Sequence, residues 1–180
     1  MLEKITETDG RILLWIQENV RHDVLTPIVK AITYSGNWGA IMIAAVVILL
    51  INPKTRKLGM MCGAALVVNL VICNLILKLA VARVRPYETI EGLELIVGKA
   101  YDWSFPSGHS SGGFAVGTVI FMETKKRVGV PVLIFALLIA LSRLYVGIHY
   151  PTDVLFGAII GTVIGCVTCL ILRRRLIHNS

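Results

Sequence analysis

Charge is scarce in this chain, and its absences are long. Residues 31–53 carry none, and neither do 58–77, 110–122, 128–142 or 154–172. Charged residues make up 16% of the 180 and apolar ones 56%. A soluble domain of this size could not hide that much apolar surface, so the chain is expected in a membrane. Cysteine is also sparse. Cys62, Cys73, Cys166 and Cys169 all lie inside apolar runs, and the Cys166-x-x-Cys169 spacing has no second Cys or His pair nearby. These are therefore read as packing residues, with metal and redox roles set aside. The N-terminus lacks the basic stretch of a cleavable leader and carries Glu3, Glu7 and Asp9 instead. Long linkers, low-complexity segments and convincing repeats are missing too, so residues 1–180 are expected to form a single membrane-embedded domain.

The apolar runs are what the chain does have. A bilayer-spanning helix needs about 20 residues. The first, second and fifth runs satisfy that outright. The third and fourth satisfy it only if polar residues at their ends lie at membrane depth and face the protein interior. The expected fold is all-α: a polytopic membrane helix bundle of about five transmembrane helices plus an N-terminal amphipathic interfacial helix. That helix is placed over residues 9–23, within an interfacial segment 1–30, where Ile12, Leu13, Ile16 and Val20 recur at helical spacing. Gly157, Gly161 and Gly165, like Gly113 and Gly117, repeat at four-residue spacing and are expected to pack helices closely inside the bundle.

Basic residues between the runs set an orientation. Lys54, Arg56 and Lys57 follow the first run, Lys125, Lys126 and Arg127 the third, and Arg173, Arg174 and Arg175 the fifth. Alternating helices put all three clusters on one side, which the positive-inside bias assigns to the cytoplasm. Of the 11 acidic residues, only Glu123 falls on that side. The N-terminus is then outside and the C-terminus cytoplasmic, in a cell membrane. Trp15, Trp38 and Trp103 fall near the outer boundary, as an aromatic belt does.

Three outer segments gather polar chemistry at the ends of apolar runs, where charge is costly. The first runs from Lys78 to Arg85 and Pro86. The second is Pro106-Ser107-Gly108-His109. The third holds Ser142, Arg143, His149 and Asp153. Pro106 suits a first helical turn, whose free N–H groups face an anion, with Gly108 allowing close approach and Ser107 adding a hydroxyl. A plain helix cap explains the proline and serine but not His109 at the head of a membrane helix. His149 and Asp153 flank the start of another helix at Pro151, close enough to meet. Alone they read as a structural hydrogen bond. Beside Arg143 and Ser142 they read as an imidazole whose free nitrogen serves as nucleophile or base. Lys78, Arg85 and Arg143 could each snorkel to the interface, the reading kept for Arg83. Together they suit phosphate oxygens.

These segments together resemble the type 2 phosphatidic acid phosphatase superfamily, which also includes vanadium haloperoxidases. Lys78 with Arg85-Pro86, Pro106 to His109, and Ser142-Arg143 with His149 and Asp153 match its three motifs in order and spacing. The resemblance implies that His149 attacks phosphorus and becomes a phosphohistidine. Asp153 orients it, and His109 protonates the departing oxygen. Lys78, Arg85, Ser107, Gly108 and Arg143 hold the phosphoryl oxygens. It implies no metal and no other cofactor, in keeping with Asp153 as the only acid in the motifs. The expected partners are a lipid phosphate or diphosphate and membrane lipids, with no nucleic acid. Undecaprenyl diphosphate is the first choice of substrate, with phosphatidic acid or phosphatidylglycerophosphate as alternatives. Residues 87–105 are expected to cap the site. A haloperoxidase is disfavoured by the apolar spans, a non-catalytic lipid binder by the intact histidines, and a channel by cations gathered on one face.

Overall fold

Each charge-free run folds as helix, but one run is not one helix. The computed structural model describes residues 2–36 and 39–178, with side chains over 4–36 and 39–173. Trp38 and the side chains of Arg174 and Arg175 lie outside the described residues. Helix α1 covers Leu2–Asn19, α2 Leu25–Ser35, α3 Ala40–Ile51 and α4 Arg56–Asn69. The α4 line continues as a π-helical stretch, Leu70–Leu77, and then as α5, Lys78–Val81. A short α6 spans Pro86–Thr89, followed after an irregular segment by α7, Gly108–Glu123. Helices α8, Lys126–Tyr145, and α9, Pro151–His178, complete the fold.

The run 31–53 breaks into α2 and α3, bent by 52°. Gly36 caps α2 and Gly39 starts α3 at φ 68°, a left-handed backbone that glycine adopts without strain. Three helical stretches are long and apolar enough to cross a membrane, Arg56–Thr89, Lys126–Tyr145 and Pro151–Arg173. The bent α2–α3 pair makes up to four among the described residues. Helix α7, from the third run, falls outside this set with 16 residues. At 1.5 Å per residue it spans about 24 Å, short of a hydrocarbon core of about 30 Å. Its setting explains why. It packs against α4, α8 and α9, and nearly every residue from Ser110 to Ile120 is buried. A helix enclosed by other helices needs neither lipid-facing apolar length nor an apolar surface, so its serines and glycines carry no penalty from hydrocarbon.

Close contact is written into the glycines. A side chain at Gly157, Gly161 or Gly165 of α9 would meet the carbonyl oxygens of Ser107, Ser111 and Ala115 of α7 at 2.8, 2.1 and 2.7 Å. Gly113 and Gly117 face α8 less tightly, where a Cβ would lie 3.5 Å from Ala136 and 3.1 Å from the end of Leu133. The stripes therefore pack the bundle internally. The main apolar core joins α3, α4, α7 and α9 through Met42, Cys62, Ala65, Val119 and Ile164, and all four cysteines are free. Outward faces carry exposed Ile48, Val67, Leu75, Leu141, Ile159 and Leu170, an apolar mantle suited to lipid.

The N-terminal helix departs from the expected 9–23: it starts at Leu2 and ends at Asn19. Packing on α8 and α9 holds it through Gly10, which alone would weaken a helix by about 1 kcal/mol. Leu13 is buried, while Ile5, Ile12 and Trp15 form an exposed apolar stripe beside it. After Asn19 the chain turns and re-enters as α2 at Leu25.

Candidate active site

Local structure brings the three segments together. Lys78 ends the π-helical stretch of the α4 line. Ala82, at φ 46°, then takes a left-handed turn that costs a residue with a Cβ about 1 kcal/mol. Past that turn Arg83 reaches the buried Asp153, and Arg85 is itself buried. Ser107 caps α7, its Oγ accepting from the Ser110 amide at 3.4 Å and from the Ser110 hydroxyl at 3.0 Å. Arg143 lies in the last turn of α8, and Pro151 starts α9 with Asp153 in its first turn.

A cavity of about 810 Å³ lies among these elements, and Lys78, Arg85, Gly108, His109, Arg143 and His149 all line it. Asp153 and Ser107 stand behind its wall, both fully buried. Lys78, Arg85 and Arg143 are at most 6% exposed, a concentration of buried positive charge that calls for anions. Arg85 donates Nη1–H to the Ile148 carbonyl at 2.8 Å, and the same nitrogen lies 3.3 Å from His149 Nε2. Arg143 donates to Thr33 Oγ1 of α2 at 2.6 Å. His109 Nε2 is buried without a partner.

The His149–Asp153 pair has a more elaborate setting than its spacing conveys. His149 Nδ1 lies 3.5 Å from Asp153 Oδ2, at the outer limit of a hydrogen bond. That oxygen is held more tightly by Ser104 Oγ at 2.5 Å and the Tyr150 amide at 3.0 Å. Asp153 Oδ1 accepts from Arg83 Nη1 at 2.7 Å. Burial, helped by Arg85 and opposed by Asp153, pushes the His149 imidazole down to about 3, which keeps the ring neutral at ordinary pH.

Arg83 does not snorkel. Its Nη2 pairs with Asp9 of α1 at 2.9 Å, and its guanidinium lies 3.7 Å from the centre of the Tyr150 ring. Thr152 donates its hydroxyl to Asp9 as well. Asp9 of the N-terminal helix thus reaches Asp153 through one arginine and its neighbour Thr152 directly. The sequence held a signal for this. Asp9 falls on the stripe of Leu13, Ile16 and Val20, a charge on an apolar face. Ser104 gave no comparable signal. Asn69 and Asn74, on the cavity side of the α4 line, hide inside a charge-free run, yet their Oδ1 atoms are buried and unpartnered.

The 87–105 segment carries Asp102 onto the cations. Its carboxylate pairs with Lys78 Nζ and, at 2.5 Å, with Arg85 Nη2, while its carbonyl accepts from Arg85 Nε at 2.9 Å. Burial opposes ionisation here, but Lys78 and Arg85 hold the Asp102 carboxyl down at about 2. The rest of the segment is pinned by Gln17 of α1, which donates to the Gly92 carbonyl, and by Arg21 just beyond that helix, which donates to the Glu94 carbonyl.

The profile of the PAP2 superfamily matches residues 57–177, a stretch that contains every motif residue lining this cavity. The chain belongs to the PAP2 superfamily. It is 34% identical over 114 residues to undecaprenyl-diphosphatase BcrC of Bacillus subtilis, which covers 63% of this chain and 58% of that protein. It is 30% identical over 122 residues to an undecaprenyl-diphosphatase of Sulfolobus acidocaldarius, covering 68% and 59%. The chain thus spans less than two thirds of either relative's length. The crystal structure of Aquifex aeolicus LpxE superposes with a TM-score of 0.74 at 27% identity, over 88% of this chain and 91% of that one. The PAP2 match begins at α4, so α1 to α3, including Asp9 and Thr33, lie outside it.

Proposed function

We infer that this PAP2 protein is an integral membrane lipid phosphatase, the whole chain acting as one domain, with undecaprenyl diphosphate as its most favoured substrate. The observation that carries the reading is the cavity itself: two histidines and three buried cations line one cavity inside an apolar bundle. His149 Nε2 attacks phosphorus, because Nδ1 is turned toward Asp153 and Ser104. A P–N bond forms as the bond to the leaving oxygen breaks, and His109 gives that oxygen a proton. His109 then takes a proton from water, whose oxygen displaces His149 and releases phosphate. Asp153 offsets the positive charge on the phosphohistidine. Lys78, Arg85, Arg143 and the Gly108 backbone hold the phosphoryl oxygens, and Ser107 acts by fixing the α7 N-terminus beneath them.

The reaction as written uses no metal, because buried cations already serve the phosphoryl oxygens. Among the described residues, no group of three His, Cys, Asp or Glu side chains could hold one. Names of the similar proteins support the diphosphate, and the basic loops support a site facing the extracytoplasmic side with a cytoplasmic C-terminus. The exposed stripe of α1 supports an interfacial position for that helix, and the enclosed α7 supports a fifth crossing. A phosphate-release panel tests the reading, with undecaprenyl diphosphate, phosphatidic acid, phosphatidylglycerophosphate and soluble esters, in chelator. Release is expected from lipid substrates, with undecaprenyl diphosphate fastest, and His149→Ala is expected to lose at least about 10³-fold in kcat. Full activity in that variant would sink the mechanism.

A further inference from the structure

The phosphate cradle proposed above holds an anion of the protein's own. Lys78 and Arg85 are nearly fully buried, yet one carboxylate, Asp102, is bonded to both. Its side chain remains 57% exposed at the cavity mouth. The same Arg85 holds the neighbouring backbone through further contacts: its Nε–H reaches the Asp102 carbonyl at 2.9 Å and its Nη2–H the Trp103 carbonyl at 3.4 Å. The carboxylate can therefore swing toward water by a change in its own side-chain torsions, without moving the segment that carries it.

We propose that Asp102 is a specificity-determining residue, a resident monoanion that dianionic phosphomonoesters and diphosphates displace from Lys78 and Arg85 and that monoanionic phosphodiesters do not. This rests on the lipid phosphatase reading of the same cavity. The argument is one of charge. A bilayer presents phosphodiester headgroups at high density, and each offers oxygens of the same geometry as a phosphomonoester. An undefended cradle of three buried cations would fill with them. A diester that enters exchanges one single charge for another and loses its hydration, so nothing favours the exchange. A terminal phosphate with two charges gains attraction to Lys78, Arg85 and Arg143 that a carboxylate cannot match, while Asp102 passes to solvent where its charge is cheaply hydrated. Selection by count of charge needs no contact with the lipid tail and so works for any lipid that ends in a phosphomonoester or diphosphate.

The test uses the full-length protein in mixed micelles, with phosphatidic acid as substrate and phosphatidylglycerol as the monoanionic diester. Neutral detergent at equal mole fraction controls for surface dilution. Phosphatidylglycerol is expected to inhibit Asp102→Asn about tenfold more strongly than wild type, the scale of one charge-assisted pair. Asp102→Glu, which keeps the charge, is expected to behave as wild type. Equal sensitivity of wild type and Asp102→Asn overturns the proposal, as does equal sensitivity of the two variants. A second readout needs no turnover: phosphatidylglycerol is expected to raise the unfolding temperature of Asp102→Asn but not of wild type, and matching shifts overturn the proposal. If Asp102→Asn does not fold, Asp102→Ser carries the same comparisons. Absence of phosphate release by wild type would remove the phosphatase reading alone, since the thermal comparison still decides the role of Asp102.

Discussion

Two parts of this molecule meet at the cavity and are built in opposite ways. The α7–α9 seam is a contact of backbone on backbone, with Gly157, Gly161 and Gly165 set against the carbonyls of Ser107, Ser111 and Ala115. It fixes His109 at one helix start and Asp153 at the other. The rim opposite is made of a bent helix pair, a left-handed Ala82 and an irregular segment held by scattered hydrogen bonds. The rim brings Thr33 and Asp102, each bonded to a buried cation. In the proposed reaction the proton donor His109 and the carboxylate Asp153 stand on the seam, and the nucleophile His149 lies just before α9. Two of the proposed phosphate-binding cations, Arg143 and Arg85, take partners from the rim. The difference teaches a division of labour: chemistry needs fixed distances, while admission needs a partner that can leave.

The seam is the place to break first. Gly161→Ala would put a Cβ 2.1 Å from the Ser111 carbonyl oxygen, a contact no rotamer relieves. Loss of about 3 kcal/mol or more is expected, read as loss of the folded, detergent-stable species and of activity together. A stable, active variant would show that α7 and α9 separate freely. Arg83 links seam to α1, and its removal is a subtler test. Arg83→Ala is expected to lower kcat about 100-fold with KM within about threefold, because it positions Asp153 and does not reach the phosphate. Arg83→Lys is expected to recover part of the loss, and a change confined to KM would place Arg83 among the substrate contacts instead.

Rim changes are expected to be smaller and to fall on binding. Thr33→Val removes the 2.6 Å partner of Arg143 and is expected to raise KM about fivefold, the worth of one hydrogen bond, with kcat held. The smallest effect concerns pH. A monoester phosphate loses its second charge as pH falls through about 6. Asp102, held at about 2, stays ionised throughout. Wild-type KM for phosphatidic acid is therefore expected to rise between pH 7 and pH 5, and that of Asp102→Asn to rise less. Lys78 and Arg85, which touch Asp102, and Arg143, His109 and His149 across the cavity are common to both proteins, so the difference isolates Asp102. Parallel KM curves would contradict it.

Much of the seam was legible in the sequence and little of the rim. Charge-free runs announced the helices, and the motif spacings named the side chains that meet at the cavity, because both signals are local. The break at Gly36–Gly39 was not legible, since apolar residues continue on either side and a bend leaves hydropathy unchanged. Asp102 reads as a charge on an outer loop, where charge is ordinary, and Asp9 shows only as a charge on an apolar helix face with no partner named. Their meeting with Arg85 and Arg83 depends on how distant segments fold back, which spacing alone does not encode. The shortness of α7 was visible in the length of its run, but its cause, enclosure on all sides, belongs to packing.

The π-helical stretch Leu70–Leu77 acts as a phase shifter between two halves of one rod. Below it, α4 is keyed to the apolar core through Cys62 and Ala65, and above it Lys78 is keyed to the cavity. The wider winding decides how those two bearings relate. A related chain that gained or lost a single residue there would swing its lysine by about 100° while keeping every motif intact. Such a chain would carry the full signature with its lysine turned away from the cavity.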